Sequence, residues 1–173
     1  MFPSLSASIR LQQSYIYLLT ATIPTLTLHT RIAAPAARCF DLARDVDLHL
    51  RSADQTQEKA VAGKTSGLLE LDDVVTWQGV HFGFRQQLTV RITEFDQPRY
   101  FCDVMERGAF QSLRHEHWFE QQNDATLMTD HFSYVMPFSV VGQFFDLVFL
   151  RAYLRRFLLK RNQLLQQLAE SEA

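Results

Sequence analysis

The sequence contains little cysteine and almost no excess of charge of either sign. Its two cysteines, Cys39 and Cys102, lie far apart among 173 residues, which argues against a disulfide framework and a cysteine-based zinc cluster. Reduced thiols are typical of the cytoplasm, so we expect a cytoplasmic protein. A net charge of −2 and an isoelectric point near 6.3 indicate no overall attraction to nucleic acid.

Long hydrophobic runs and several familiar catalytic motifs are also missing. The apolar stretch SYIYLLTATI (Ser14–Ile23) is far shorter than the roughly 20 residues that a membrane-spanning helix needs, so we expect no stable membrane insertion. We expect residues 1–24 to form an extension that is poorly ordered or packed on the surface. The glycines around Lys64 lack the spacing of a phosphate-binding loop, and the GxSxG elbow of serine hydrolases is absent.

What the chain does contain is enough apolar material for one folded domain. Its length fits a single domain with a sizeable core. Apolar residues make up 47% of the chain and include 14 phenylalanines. Because aromatic side chains carry much buried area, this content predicts a large core or an apolar cavity.

The order of the elements predicts an α+β fold. LTLHTRIA (Leu26–Ala33) alternates like a strand, and PAARCFDLARDVDLHLRS (Pro35–Ser52) has the spacing of one bent helix or two short ones. A turn is expected at Val61–Glu70. Five strands in hairpin order follow, and apolar residues at helical spacing predict a long helix from about Val140 to Ala169. The five strands are expected at Asp73–Phe82, Gly83–Phe95, Arg99–Gly108, Gln111–Gln121 and Ala125–Met136.

Three stretches resemble a known superfamily. RIAAPAARCFDLARDVDLHLRS, VTWQGVHFGFRQQLTVRITEFDQPRYFCDVMERGAFQSLRHEHWFE and TLMTDHFSYVMPFSVVGQFFDLVFLRAYLRRFLLKRN are similar to the START-like, or SRPBCC, helix-grip proteins. The likeness is greatest to small bacterial ligand-binding members near the polyketide cyclase/dehydrase grouping. It implies one domain over residues 25–170, with about seven antiparallel strands curved around the long C-terminal helix and two short helices after the first strand. It also implies a cavity that binds hydrophobic or amphipathic, lipid- or polyketide-like molecules.

The sequence RHEHWFE focuses attention on two histidines. Strict alternation puts His115 and His117 in one row with Leu113 and Phe119, which is the more apolar side of that strand. On the next strand, Asp130 also falls in the more apolar row. A buried carboxylate needs a partner, and hairpin order makes the two strands neighbours, so we expect Asp130 beside one of the histidines.

These residues admit several interpretations, which the sequence leaves open. They could be satisfied core groups, contacts for the polar end of a ligand, or an acid–base pair, with His115, His117 and Asp130 as the catalytic candidates. Two histidines are a weak metal signal, and a third ligand, His81 or Asp130, is only a guess. We therefore assign no metal and no cofactor. The basic run Arg151–Arg161 is expected to be a solvated helix face, with transient membrane contact as the alternative.

We expect a binding protein for a small hydrophobic ligand rather than an enzyme. The alternatives are a cyclase or dehydratase that uses the cavity histidines and aspartate, and a protein-interaction module without a ligand. The sequence does not indicate the oligomeric state. The expected ligand-binding residues are Trp77, His81, Phe82, Phe84, Phe101, Asp103, Leu113, His115, His117, Phe119, Asp130, Phe132, Tyr134, Phe144 and Leu147.

Overall fold

A computed structural model describes residues 23–137, 142 and 144–171. Over these residues the chain forms one antiparallel sheet of seven strands, with spatial order β1-β7-β6-β5-β4-β3-β2. The strands are β1 (Thr25–Ile32), β2 (Lys59–Gly63), β3 (Val74–His81), β4 (Phe84–Asp96), β5 (Tyr100–Arg107), β6 (Ser112–Gln122) and β7 (Ala125–Val135).

The described helices lie between β1 and β2 and at the C-terminal end. Two short helices, α1 (Ala36–Ala43) and α2 (Val46–Ser52), are separated where Asp45 caps the second by accepting hydrogen bonds from the Asp47 and Leu48 amides. A 3-10 turn covers Asp54–Thr56. A π-helical turn at Asp146–Leu150 leads directly into the long helix α3 (Arg151–Glu170).

Bulges and tight turns shape the sheet. The pairing of β4 with β5 shifts register twice, between Thr89 and Val90 and between Ile92 and Glu94, and such bulges bend a strand and increase its twist. Phe82 and Gly83, which join β3 to β4, both have positive φ angles of 53° and 81°. Two such residues in succession are typical of a two-residue hairpin turn. The curved face of the sheet packs against the helices.

The main apolar core lies where α1 meets the sheet. Phe40 is fully buried and makes edge-on ring contacts with Phe95, Phe101 and Phe119 at centroid distances of 5.3–5.6 Å. Such edge-to-face pairs add about 0.5–1.5 kcal/mol beyond the area that they bury. A second group of apolar residues joins β1, β6 and β7 to Leu150, Leu154 and Leu158 of the C-terminal segment.

The α+β helix-grip architecture predicted from the sequence is confirmed. β1 and the five hairpin strands occupy the expected ranges. The segment expected to be one bent helix or two short ones forms two short helices. The weakly patterned strand β2 lies partly where a turn was expected. Residues 1–22 are outside the described residues, so the interpretation of residues 1–24 as an extension stays a prediction. Among the described residues, no helix is both long and apolar enough to cross a membrane.

Candidate functional site

A cavity of about 180 Å³ lies between the concave side of the sheet and α3. Most of its wall is apolar and comes from β3, β4, β5 and the helix, including Trp77, Leu88, Phe101, Leu154 and Phe157. Apart from Gln86 and Gln87 of β4, the polar side chains at this wall belong to two groups. They form an inner cluster around Asp130 and an outer cluster around Glu58.

The inner cluster consists of Asp103, His115, His117 and Asp130, on three adjacent strands. Across the sheet, Asp103 pairs in register with His115, and His117 pairs with Asp130. The hydrogen bonds run diagonally: His115 Nε2 donates to Asp130 Oδ1 at 3.1 Å, and His117 Nε2 donates to Asp103 Oδ2 at 3.2 Å. The two imidazoles also lie close together, with ring centroids 3.8 Å apart.

The strand Cβ directions explain why these four side chains meet. Alternate residues of a strand point to the same face, so His115 and His117 both point inward, between Asp103 on one neighbouring strand and Asp130 on the other. His117 is further fixed by stacking on Phe101, at a centroid distance of 4.2 Å. His117 and Asp130 are almost fully buried, whereas the Asp103 side chain keeps 18% of its surface exposed.

Burial and hydrogen bonding act in opposite directions on the charges of the inner cluster. Burial, together with the neighbouring His117, lowers the pKa of His115 to about 4. Burial alone would raise the pKa of Asp130, but the hydrogen bond from His115 and the adjacent imidazole of His117 outweigh it and hold that pKa well below its ordinary value. Burial opposes ionisation of Asp103 too, yet the His117 hydrogen bond and the nearby imidazoles together lower its pKa. Both carboxyl groups are therefore ionised at neutral pH.

Two residues of α3 attach the helix to this cluster. Asn162 donates from Nδ2 to Asp130 Oδ2 at 2.6 Å, and Arg161 Nη1 lies 3.6 Å from Asp130 Oδ1. Arg161 also donates to the Ala43 carbonyl at 2.8 Å. Both side chains are buried, so the guanidinium partly balances the two carboxylates in a low-dielectric interior.

The outer cluster joins four segments of the chain around Glu58. Its carboxylate accepts a hydrogen bond from His49 Nε2 at 2.8 Å and lies 3.4 Å from His81 Nε2. The other ring nitrogen of His81, Nδ1, is 2.7 Å from the Tyr153 hydroxyl. His49 stacks on Trp77 with ring centroids 4.0 Å apart. These five residues all border the cavity.

The Glu58 carboxylate is held strongly in its ionised form. Its side chain is only 6% exposed, and burial alone would raise its pKa. The hydrogen bonds and charges of His49 and His81 outweigh that effect and lower the pKa to about 2. Burial, reinforced by the negative charge of Glu58, raises the pKa of the neighbouring Tyr153 hydroxyl.

The structure divides the residues expected at the ligand site into three groups. The first borders the cavity and comprises Trp77, His81, Phe82, Phe101, Asp103, Leu113, His115 and Phe132. The second is buried behind that wall and comprises His117, Phe119, Asp130 and Tyr134. The third is exposed and comprises Phe84, Phe144 and Leu147.

The exposed group corrects the expectation that these three side chains form the cavity wall. Phe84 shares a face with Leu88 and Val90 but comes first on β4, beyond the end of the cavity, and is 72% exposed. Phe144 and Leu147 are 67% and 69% exposed, and they precede Leu150, the first residue of the C-terminal segment that borders the cavity. Phe119 and Tyr134 also lie away from the cavity wall, but they are buried. Phe119 packs in the core around Phe40, and Tyr134 donates a hydrogen bond to the buried Asp146.

Sequence reasoning missed Glu58, Arg161 and Asn162. Arg161 was placed on a solvated basic face, yet it is 5% exposed. The spacing of Leu154, Leu158 and Leu165 carries the missing signal, because the stripe that they define on a helix also includes positions 161 and 162. Glu58 offers no such pattern, since it lies in an irregular segment between the 3-10 turn and β2.

Comparison with solved structures identifies the fold. The chain superimposes on the protein TTHA0849 from Thermus thermophilus with a TM-score of 0.70 at 15% identity, over 87% of this chain and 99% of that one. A START superfamily protein from Mycobacterium smegmatis gives a TM-score of 0.64 at 11% identity, over 86% and 99%. Ginseng major latex-like protein 151 from Panax ginseng gives 0.62 at 15% identity, over 84% and 97%.

These likenesses show that the chain has the START-like, SRPBCC-type helix-grip fold. No family model matches the sequence, and no curated protein matches it either. At identities this low the shared fold says nothing about which molecule is bound.

Proposed function

We propose that the protein binds a small hydrophobic or amphipathic molecule in the cavity between the sheet and α3. The observation that carries this proposal is the cavity itself, which has a largely apolar wall with a few polar groups, most of them in the inner and outer clusters. An apolar pocket with a few convergent polar groups is the usual form of a small-molecule site. A protein-interaction module would need no such internal space.

The size of the cavity limits the ligand. Its volume of about 180 Å³ is below the roughly 300–1,000 Å³ of typical ligand pockets. An apolar cavity of about 150 Å³ in another protein holds one benzene molecule. The cavity therefore fits a molecule, or part of a molecule, with about one ring or a short chain, and a larger lipid- or polyketide-like ligand requires the wall to move outward.

The two polar clusters would orient an amphipathic ligand. Asp103 and His115 reach the cavity from the sheet, and Glu58 and His81 reach it from the side of α2 and β3. A hydroxyl or amine at one end of the ligand can hydrogen-bond to either group while its apolar body contacts Phe101 and the leucines. Replacing His115 by Gln should weaken binding by a few-fold, because one neutral hydrogen bond contributes about 0.5–1.5 kcal/mol.

Exposed aromatic side chains next to the cavity support transient contact with a membrane during ligand exchange. Phe82 borders the cavity and contacts the rings of Phe145 and Tyr153. Other apolar side chains close in sequence to Phe82 or Phe145 are also exposed, namely Phe84, Phe144, Leu147 and Phe149. Arginines follow at the start of α3. Aromatic and basic side chains together favour the surface of an anionic bilayer.

Co-sedimentation with anionic phospholipid vesicles tests this contact. The double variant Phe144→Ser/Leu147→Ser should lose most vesicle binding. The exposed Leu71 (51%) lies in the loop before β3, and Leu71→Ser is the matched control that should bind vesicles like the wild type. Equal vesicle binding by both variants would contradict the proposed membrane contact, while the proposed ligand binding in the cavity would still stand.

The binding function is tested by filling the cavity. Leu88 borders the cavity, and the next residue, Thr89, is not part of its wall. Leu88→Trp should weaken binding of the fluorescent apolar probe anilinonaphthalene sulfonate by at least about tenfold, equivalent to about 1.4 kcal/mol, whereas Thr89→Trp should leave it nearly unchanged. Circular dichroism would establish that both variants fold. Equal probe affinity in the two folded variants would contradict the proposal.

One observation favours an enzyme as the second candidate function: an imidazole at the cavity wall is hydrogen-bonded to a buried carboxylate. A cyclase or dehydratase could use such a pair for acid–base chemistry, worth roughly 10²–10⁴-fold in rate. Native mass spectrometry of protein purified from its host would identify the bound molecule. Incubation with wild type and with His115→Gln would then distinguish a molecule that is only bound from one whose mass changes.

A further inference from the structure

Three side chains of the inner cluster bring metal-ligating atoms together at the floor of the cavity. Atoms of Asp103, His115 and His117 lie within 4.8 Å of one another. Asp103 Oδ2 is 3.2 Å from His117 Nε2 and 3.9 Å from His115 Nδ1. The ligand atoms of a tetrahedral zinc ion are about 3.3–3.6 Å apart, as follows from bonds of roughly 2.0–2.2 Å. The separation of Asp103 and His117 is thus close to that in a metal centre, and the separation of Asp103 and His115 is slightly longer.

The carboxylate of Asp130 lies behind both imidazoles, on the side away from Asp103. It accepts a hydrogen bond from His115 Nε2 at 3.1 Å, and its Oδ1 is 2.9 Å from His117 Nδ1. Histidines that bind metals usually direct their second ring nitrogen at a carboxylate in this way, which sets the tautomer and the ring orientation. Asn162, which donates to Asp130 at 2.6 Å, holds that carboxylate in place.

Neither neutral form of His117 satisfies its surroundings by itself. With the proton on Nε2, the lone pair of Nδ1 faces the Asp130 carboxylate at 2.9 Å, which is repulsive. With the proton on Nδ1, the lone pair of Nε2 joins that of His115 Nδ1 and the Asp103 carboxylate, so three acceptors converge. Among the described residues, His117 Nδ1 makes no hydrogen bond of good geometry, despite that short distance. A cation between the three acceptors removes the conflict.

We propose that Asp103, His115 and His117 form a site for a divalent transition-metal ion of the zinc class, with an open coordination position directed into the cavity. Two imidazoles and one carboxylate are ligands that suit zinc and its first-row neighbours rather than calcium or magnesium. Asp103 and His115 border the cavity, so a water molecule or the polar end of a ligand can complete the coordination. This third ligand, Asp103, differs from both residues guessed from the sequence: His81 belongs to the outer cluster, and Asp130 lies behind the rings.

Calorimetric titration of the chelator-treated full chain with zinc chloride tests the site without any organic ligand. We expect one ion per chain in the wild type. The variants His115→Gln and His117→Gln should weaken binding by more than about 100-fold, and Asp130→Asn by roughly 10- to 100-fold, the usual effect of losing a carboxylate behind a ligating histidine. Cobalt(II) should give the visible absorption bands of a tetrahedral ion in the wild type and not in His115→Gln or His117→Gln.

The surface histidines provide the matched control. His29 and His131 lie on the opposite face of the sheet, hydrogen-bonded to Thr129 and Thr27, and the double variant His29→Gln/His131→Gln should bind zinc like the wild type. Asp103→Asn keeps the test informative if a buried histidine variant fails to fold, because this side chain is partly exposed. Absence of saturable one-to-one binding, or unchanged binding in folded Asp103→Asn, would overturn the proposal and leave a shared proton between His117 and Asp103.

Discussion

The two polar clusters use the same chemistry but are assembled in different ways. Each places two histidines around a buried carboxylate, Asp130 in the inner cluster and Glu58 in the outer one. The inner cluster is formed by residues at fixed register on adjacent strands. The outer cluster requires a helix, an irregular segment, the end of a strand and α3 to meet. The inner site is therefore a property of the sheet, and the outer site is a property of how the domain closes.

This difference predicts different responses to perturbation. The inner cluster is supported by continuous strand pairing on both sides of β6, so it should keep its geometry until the sheet unfolds. The outer cluster depends on short elements and a few side-chain contacts. Its local stability should be lower, as is usual for segments that border ligand sites. Removing the central carboxylate from each cluster compares them directly.

The largest effect is expected for Asp130→Ala. This change leaves Arg161, Asn162 and both inner histidines buried without their common partner. Breaking a buried charge network by removing one member costs about 3–5 kcal/mol. Urea denaturation monitored by circular dichroism measures this loss. Asp96→Ala is the control, because Asp96 pairs with Arg99 at the surface, where such a pair contributes about 0–1 kcal/mol.

Glu58→Gln should cost slightly less and should depend on pH. The folded-state pKa of about 2 lies below the ordinary value of 4.5, so the ionised carboxylate stabilises the folded protein above pH 4.5. That contribution is lost as the pH falls from 4.5 towards 2. The difference corresponds to about 3 kcal/mol at neutral pH. The titratable groups that face the carboxylate are His49, His81 and Tyr153, and the Thr56 hydroxyl donates a hydrogen bond to it at 3.3 Å.

Urea denaturation of wild type and Glu58→Gln at neutral and acidic pH measures this dependence. The two curves should differ most at neutral pH and converge in acid. Glu106→Gln, at a half-exposed pair with Arg91, should show little difference at either pH. A Glu58→Gln destabilisation that does not change with pH would mean that the carboxylate acts through packing rather than charge.

The contrast also explains what could be predicted from the sequence. Strand alternation and hairpin order were sufficient to place His115, His117 and Asp130 on one face of neighbouring strands, because both are local rules. The sequence did not decide which of the two histidines pairs with Asp130. In the structure, Asp130 lies within 3.1 Å of both. Most of the fold followed from the same patterns and from the resemblance.

The rest could not be predicted because it depends on contacts between distant segments. Glu58 lies in a segment without periodicity, and its partners are 9 and 23 residues away in the chain at His49 and His81. Where the cavity ends along a strand is equally non-local. Because side chains alternate along β4, Phe84 and Leu88 point to the same face of the sheet. Only the position of α3 determines that Leu88 borders the cavity.

Gly79→Ala tests the closure of the outer cluster with a single methyl group. A Cβ at Gly79 would lie 2.8 Å from Glu58 Cγ and 3.1 Å from His81 Nε2. Both side chains are held in the cluster, so we expect a cost of about 1–3 kcal/mol, as for other insertions into packed sites. In the control Gly108→Ala, the nearest atoms are Met105 Sδ at 2.6 Å and Leu88 Cδ1 at 2.9 Å, which lie near the ends of flexible side chains. Equal thermal stability of the two variants would show that the side chains of the outer cluster can move to accommodate the added methyl group.

The smallest effect is expected from removing the residues before Pro24. Both clusters are formed by residues between His49 and Asn162, and β1, which begins at Thr25, pairs with β7 along its whole length. The Pro24 carbonyl accepts a hydrogen bond from the Tyr134 amide at 3.2 Å, so a chain that starts at Pro24 keeps this contact. We expect it to melt within a few degrees of the full chain and to retain the Glu58→Gln and Asp130→Ala differences. A large fall in melting temperature, measured by differential scanning calorimetry, would instead place Tyr15–Ile23 in the core. Comparison of the two carboxylate variants in the shortened chain would then show which cluster that segment supports.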